Sequence, residues 1–180
     1  MKQSRVFAAI LLLGSIIGTS GCSKPEEPNH FRYTVNDYPL DQGFIYNFGL
    51  AEDATGYNFD VTLYSNGVSY NRDRHEFSGT GNIVFFQLYS SSATELAAGT
   101  YQFTTESKAP STFDVANFGM TVNFTEQTGT IVNAVSGIVK VSIERDSYVL
   151  DFECLTATGE KVTGHWNRSL TTHDMREAKK

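Results

Sequence analysis

From Phe31 onward, hydrophobic and polar residues alternate with a period of two almost throughout, the pattern of strands with one face buried and the other in water. Tyr57, Phe59, Val61 and Leu63 alternate with Asn58, Asp60, Thr62 and Tyr64, so the first set is expected to face a core. Phe44-Tyr46-Phe48, Tyr101-Phe103, Met120-Val122-Phe124 and Tyr148-Leu150-Phe152-Cys154 repeat the pattern. Ile83 to Tyr89 is apolar in both phases and reads as a central strand covered on both sides. Trp166 is in phase with Val162 and joins the core set.

Clusters of Gly with Asn, Asp, Ser or Thr punctuate these runs at hairpin spacing. They are Ser65-Asn66-Gly67, Ser78 to Asn82, Ala98-Gly99, Gln127-Thr128-Gly129, Arg145-Asp146-Ser147 and Thr158-Gly159. The body shows no amphipathic helical pattern. The expected fold is all-β, an antiparallel β-sandwich of about nine or ten strands over residues 30–170, rather than a closed barrel. Residues 171–180 are polar and read as a short helix or a frayed tail.

The first 21 residues are different. Lys2 and Arg5 precede an apolar run from Val6 to Ile17, broken only by Gly14 and Ser15, and small residues follow up to Cys22. A run this short falls below the roughly 20 apolar residues that a membrane-crossing helix needs, so residues 1–21 read as a cleaved signal peptide. Ser20-Gly21 would satisfy an ordinary signal peptidase. The tetrapeptide Thr19-Ser20-Gly21-Cys22 also resembles the lipobox of bacterial lipoproteins, in which the cysteine takes a diacylglyceryl group before cleavage, although Thr19 stands where Leu is commonest. That resemblance makes Cys22 the expected lipidation site and the membrane a partner through the N-terminal lipid. Each buried methylene contributes about 0.8 kcal/mol, so the several acyl chains of a processed lipoprotein would hold it permanently.

Residues 22–29 comprise this cysteine and a polar, proline-punctuated linker. Lys24-Pro25-Glu26-Glu27 within it resembles the acidic signal that carries Bacteroidales-type lipoproteins to the outer face of the outer membrane, and it reads equally as a solvated spacer. Gly137 to Leu170 resembles the closing hairpins of uncharacterised Bacteroidales-type lipoproteins with a β-sandwich domain, in the order Gly-x-Val-x-Val, turn, Tyr-x-Leu-x-Phe, Gly turn, final strand. Glu95 to Phe103 shares with that group a Leu-x-x-Gly-x-Tyr turn entering a strand. The resemblance implies a β-sandwich lipoprotein of the cell envelope at the outer membrane and brings no catalytic residues.

Removal of residues 1–21 leaves 12 Lys and Arg against 20 Asp and Glu, a formal charge of −8, which argues against nucleic acid as a partner. With Cys22 acylated, Cys154 is the remaining thiol, so no internal disulfide forms and stability rests on packing. His30, His75, His165 and His173 lack metal-ligand spacing, and neither a metal nor another cofactor is expected. No Gly-x-Ser-x-Gly, phosphate loop or His-Glu-x-x-His occurs. Glu52 with Asp53 and Glu144 with Asp146 are the carboxylate pairs available for acid-base work, and turn solvation explains both. Arg72 to Glu76 is a mixed-charge cluster in a connection between strands, open to a polar ligand or to mutual compensation at the surface.

No catalytic residue is therefore assigned. The expected role is a non-enzymatic binding or adhesion module for a glycan or a surface protein, with Tyr64, Tyr70 and Tyr89 as candidates for exposed contact. A lipid-tethered hydrolase acting on a glycan and a structural subunit of a surface assembly are the alternatives.

Overall fold

A computed structural model describes residues 27–52 and 54–176, and the expected signal peptide, Cys22 and most of the linker lie outside this range. The alternation produces twelve strands: β1 (His30–Tyr33), β2 (Asn36–Pro39), β3 (Gln42–Leu50), β4 (Tyr57–Tyr64), β5 (Val68–Asn71) and β6 (Glu76–Ser90). The second half supplies β7 (Gly99–Phe103), β8 (Thr112–Asn123), β9 (Thr128–Glu144), β10 (Ser147–Thr156), β11 (Lys161–Arg168) and β12 (Thr171–Asp174). The fold is all-β. Among the described residues no helix is long and apolar enough to cross a membrane.

The strands form one hydrogen-bonded path, β12-β3-β4-β6-β8-β7-β9-β10-β11-β1-β2, with β5 paired to β6 beside it. An antiparallel two-sheet arrangement was expected; the observed sheet is continuous and mixed. β7 runs parallel to β8, and β12 runs parallel to β3 with Thr171 opposite Phe44. The residues expected to form a helix or frayed tail therefore begin as an edge strand, fixed further by a hydrogen bond from Met175 N to Asn47 O of 2.8 Å.

Curling brings distant strands face to face around one core. Phe86 of β6 meets Phe152 of β10 with ring centroids 5.1 Å apart, and Phe118 of β8 meets Phe31 of β1 at 5.9 Å. Phe59, Val61, Leu63, Tyr101, Leu150, Cys154, Val162 and Trp166 join them, as their phase predicts. Leu96 and Tyr101, from the Leu-x-x-Gly-x-Tyr turn, are both buried there, and the Tyr101 hydroxyl donates to Ala97 O at 2.7 Å. Burial pushes the Cys154 thiol up to about 12, since desolvation disfavours the thiolate.

Two phase readings are corrected. Phe44, Tyr46, Phe48 and Phe124 belong to a second cluster on the outer side of the sheet, while Ile45 enters the main core. The cause is the β5-β6 hairpin, which doubles back over that outer side. At its base Gly67 and Gly79 pass so close that a Cβ on Gly79 would lie 2.3 Å from Gly67 O, and Gly79 has φ of +86°. Tyr64, expected on a wet face, is consequently buried against Phe44 and Phe77, and Asn58 and Thr62 are buried on the same face of β4.

Candidate binding site

The outer face of β3, β4, β6 and β8, with β5 over it, carries the residues singled out for contact. From β5 of the hairpin, Tyr70 stacks on Phe44 at 4.6 Å and meets the tilted ring of Phe77 at 4.5 Å, and Phe77 stacks on Phe124 at 5.2 Å. The hydroxyls of Tyr46 and Tyr70 lie 2.9 Å apart, and His75 Nδ1 is 3.1 Å from the Tyr70 hydroxyl. His75, in the connection before β6, holds φ of +54°, a conformation that costs a non-glycine residue strain and turns its ring back onto Tyr70. Burial, then the Tyr46 hydrogen bond, raises the Tyr70 phenol above its ordinary value.

His173 of β12 completes the patch, its ring 5.4 Å from that of Tyr46. Burial and then the nearby Arg72 charge lower its pKa. The Arg72 to Glu76 segment is thus tied to the aromatic cluster through His75. Tyr64 is buried at 9% exposure and Tyr70 is half-buried, so neither is the open platform the sequence suggested.

Tyr89 occupies a separate part of the outer face and is also not exposed, at 1%. Its hydroxyl donates to Asp114 Oδ2 at 2.8 Å. The phenol pKa is raised by burial first, then by this bond and by the charges of Asp114 and Asp60. Asp114 faces outward at a β-bulge, where Leu88 pairs with Phe113 and Gln87 with Val115, leaving Asp114 between them. Asn58 is the cross-strand neighbour of Tyr89.

The Asp114 Oδ1 and Asn58 Oδ1 atoms are buried with no hydrogen-bond partner among the described residues. An unsatisfied buried oxygen costs about 1–3 kcal/mol, so two on one face form an unmet demand for a donor or a cation. Asp114 opens into a cleft of about 280 Å³ that it shares with Glu52, Thr105, Glu106, Ser107 and Lys108. The loop carrying Lys108 rests on this face because Gly56 has no side chain: a Cβ there would sit 2.6 Å from Lys108 O and 2.8 Å from Tyr89 Cβ. Gly56 N donates to Lys108 O at 3.0 Å.

Elsewhere the polar groups pair locally. His165 Nδ1 is 2.7 Å from Asp151 Oδ1, and Arg32 Nε donates to Asp37 Oδ1 at 2.5 Å beside a cleft of about 490 Å³ lined by His30 and Thr163. Glu144 and Asp146 flank Arg145 in the β9-β10 turn, and Asp53 lies outside the described residues. Among the described residues, no three His, Cys, Asp or Glu side chains gather into a group able to hold a metal ion by themselves.

Comparison with protein-family models, curated proteins and solved structures returns no match for this chain.

Asp114 and Asn58 were not singled out in the sequence. The available signal was the break in alternation along Phe113-Asp114-Val115-Ala116-Asn117-Phe118, where an extra residue separates the inward Phe113 from the inward Ala116.

Proposed function

We propose that this chain is a lipid-anchored protein of the cell envelope, held at the outer membrane through Cys22, whose curled β-domain acts as a non-enzymatic binding module. The observation that carries the reading is the order of the first thirty residues: basic start, apolar run, Thr19-Ser20-Gly21-Cys22, a seven-residue polar spacer and then β1 at His30. A spacer of this length reaches at most about 25 Å when fully extended, so the domain works within that distance of its leaflet. A protein confined this way meets membrane-bound or surface-bound partners, and a glycan or a surface protein is the class that suits it.

Metabolic labelling with a clickable fatty acid tests the reading. The wild-type chain is expected to take up label and fractionate with membranes, and Cys22→Ala to lose both properties. A wild-type chain that stays unlabelled and soluble after export overturns it.

A further inference from the structure

We propose that the outer face of β4, β6 and β8 holds a hard divalent cation of the Ca²⁺ class, bound by the carboxylates of Asp114 and Asp60 and the side-chain carbonyl of Asn58. The inference is independent of the lipid anchor and rests on what surrounds Tyr89. Asn58 and Asp60 are two residues apart on β4 and share its outer face, opposite Phe59 and Val61 in the core. Asn58 is directly across from Tyr89, the charge of Asp60 reaches the Tyr89 phenol, and the Tyr89 hydroxyl is bonded to Asp114. Tyr89 is thus hydrogen-bonded to Asp114, paired across the strands with Asn58 and within electrostatic reach of Asp60.

Two observations point to a bound cation rather than to a self-contained polar cluster. Asn58 is more than nine-tenths buried, and its Oδ1 receives no hydrogen bond. Asp114 spends one oxygen on Tyr89 and leaves the other buried without a donor. A buried amide oxygen and a buried carboxylate oxygen on one face, both without a hydrogen-bond donor, are the donor chemistry of Ca²⁺, which takes six to eight oxygen ligands and accepts water for the remainder. The adjoining cleft gives entry, with Glu52 and Glu106 on its wall against the single Lys108. Tyr89 is a positioning residue in this arrangement, because its hydroxyl fixes the rotamer of Asp114.

The test is Ca²⁺ titration of the full chain in detergent micelles after chelator treatment, read by thermal unfolding and by Tb³⁺ luminescence as a probe of the same site. Saturable, single-site stabilisation is expected in the wild type. Asp114→Asn is expected to weaken binding at least about tenfold, and Asn58→Asp, which adds a charge to the site, to tighten it. Asp151→Asn, a carboxylate change on β10, is expected to leave it unchanged. Absence of saturable binding to the folded chain overturns the proposal, as does equal binding by Asp114→Asn and the wild type. If Asp114→Asn fails to fold, Asn58→Asp decides: tighter binding supports the site, and unchanged or weaker binding refutes it.

Discussion

Gly164→Ala is the most discriminating single substitution in the core. Gly164 sits on the inward phase of β11 between Val162 and Trp166, and it pairs with Phe31 on one side and Phe152 on the other. Its missing side chain is where the Phe152 ring lies: a Cβ would fall 2.1 Å from Phe152 Cζ and 2.7 Å from His30 O. The ring has little room to retreat, because Phe86 meets it edge-on at 5.1 Å and Phe118 stacks on it at 5.8 Å. Overpacking of a filled core costs about 1–3 kcal/mol, and two blocked directions place this case at the upper end, about 3 kcal/mol. For a domain this size that is a fall in Tm of roughly 6–10 °C. Phe152→Leu removes the clashing atoms at a cost of about 1–2 kcal/mol of its own. In urea unfolding, the double variant is expected to be at least about 1 kcal/mol more stable than the sum of the single effects, the remainder reflecting the His30 carbonyl. A Gly164→Ala cost below about 0.5 kcal/mol, or strict additivity with Phe152→Leu, would refute the reasoning.

Cys154 is expected to be alkylated far more slowly in the native domain than in urea, since its thiol is buried and its pKa is raised; equal rates would mean that β10 does not present Cys154 inward. His173 gives a pH signature: its folded pKa is below the ordinary value of 6.5, so the unfolded chain binds the proton more readily. The stability associated with His173 is complete above about pH 6.5 and declines as pH falls from there toward the lower folded value. Arg72 and Asp174 are charged neighbours, Tyr46 is in ring contact and His75 meets the same Tyr46 ring; Asp174 is held down to about 2, paired with Arg176, so it titrates outside this window. Denaturant melts between pH 7.5 and pH 5.5, compared with His173→Gln, are expected to show a smaller pH dependence in the variant; identical slopes would remove His173 from the account.

Where a strand has one apolar phase, its alternation was sufficient to place it. Leu150, Phe152 and Cys154 on β10, and Val162 and Trp166 on β11, point where their spacing says. On β3 both phases are apolar, Phe44 and Tyr46 in one and Ile45 in the other, so periodicity could not say which entered the main core. Packing decided it, through a hairpin whose return over β3 depends on the close approach of Gly67 and Gly79, a long-range outcome of a local turn. The β3 register is pinned by Asn47, whose Oδ1 accepts from Gly49 N at 2.9 Å and whose Nδ2 donates to Ala93 O at 3.0 Å across a bulge. Nothing in the local pattern of Thr171-Thr172-His173-Asp174 announces a strand; it becomes one by borrowing the free edge of β3. The tyrosines misled because the outer face is covered: Tyr64 packs under the hairpin against Phe77, Tyr70 packs down from the hairpin onto Phe44, and Tyr89 lies beneath the loop carrying Lys108.

The strand order also governs when the protein can fold. β1 has its long-range partner in β11, with His30 opposite His165, and the outer edge of β3 is closed by β12. Strands early in the described body are thus completed by β11 and β12. Such distant pairings carry a heavy loop-closure cost and fold slowly. A chain emerging from a ribosome cannot seal this sheet until β11 and β12 have left it.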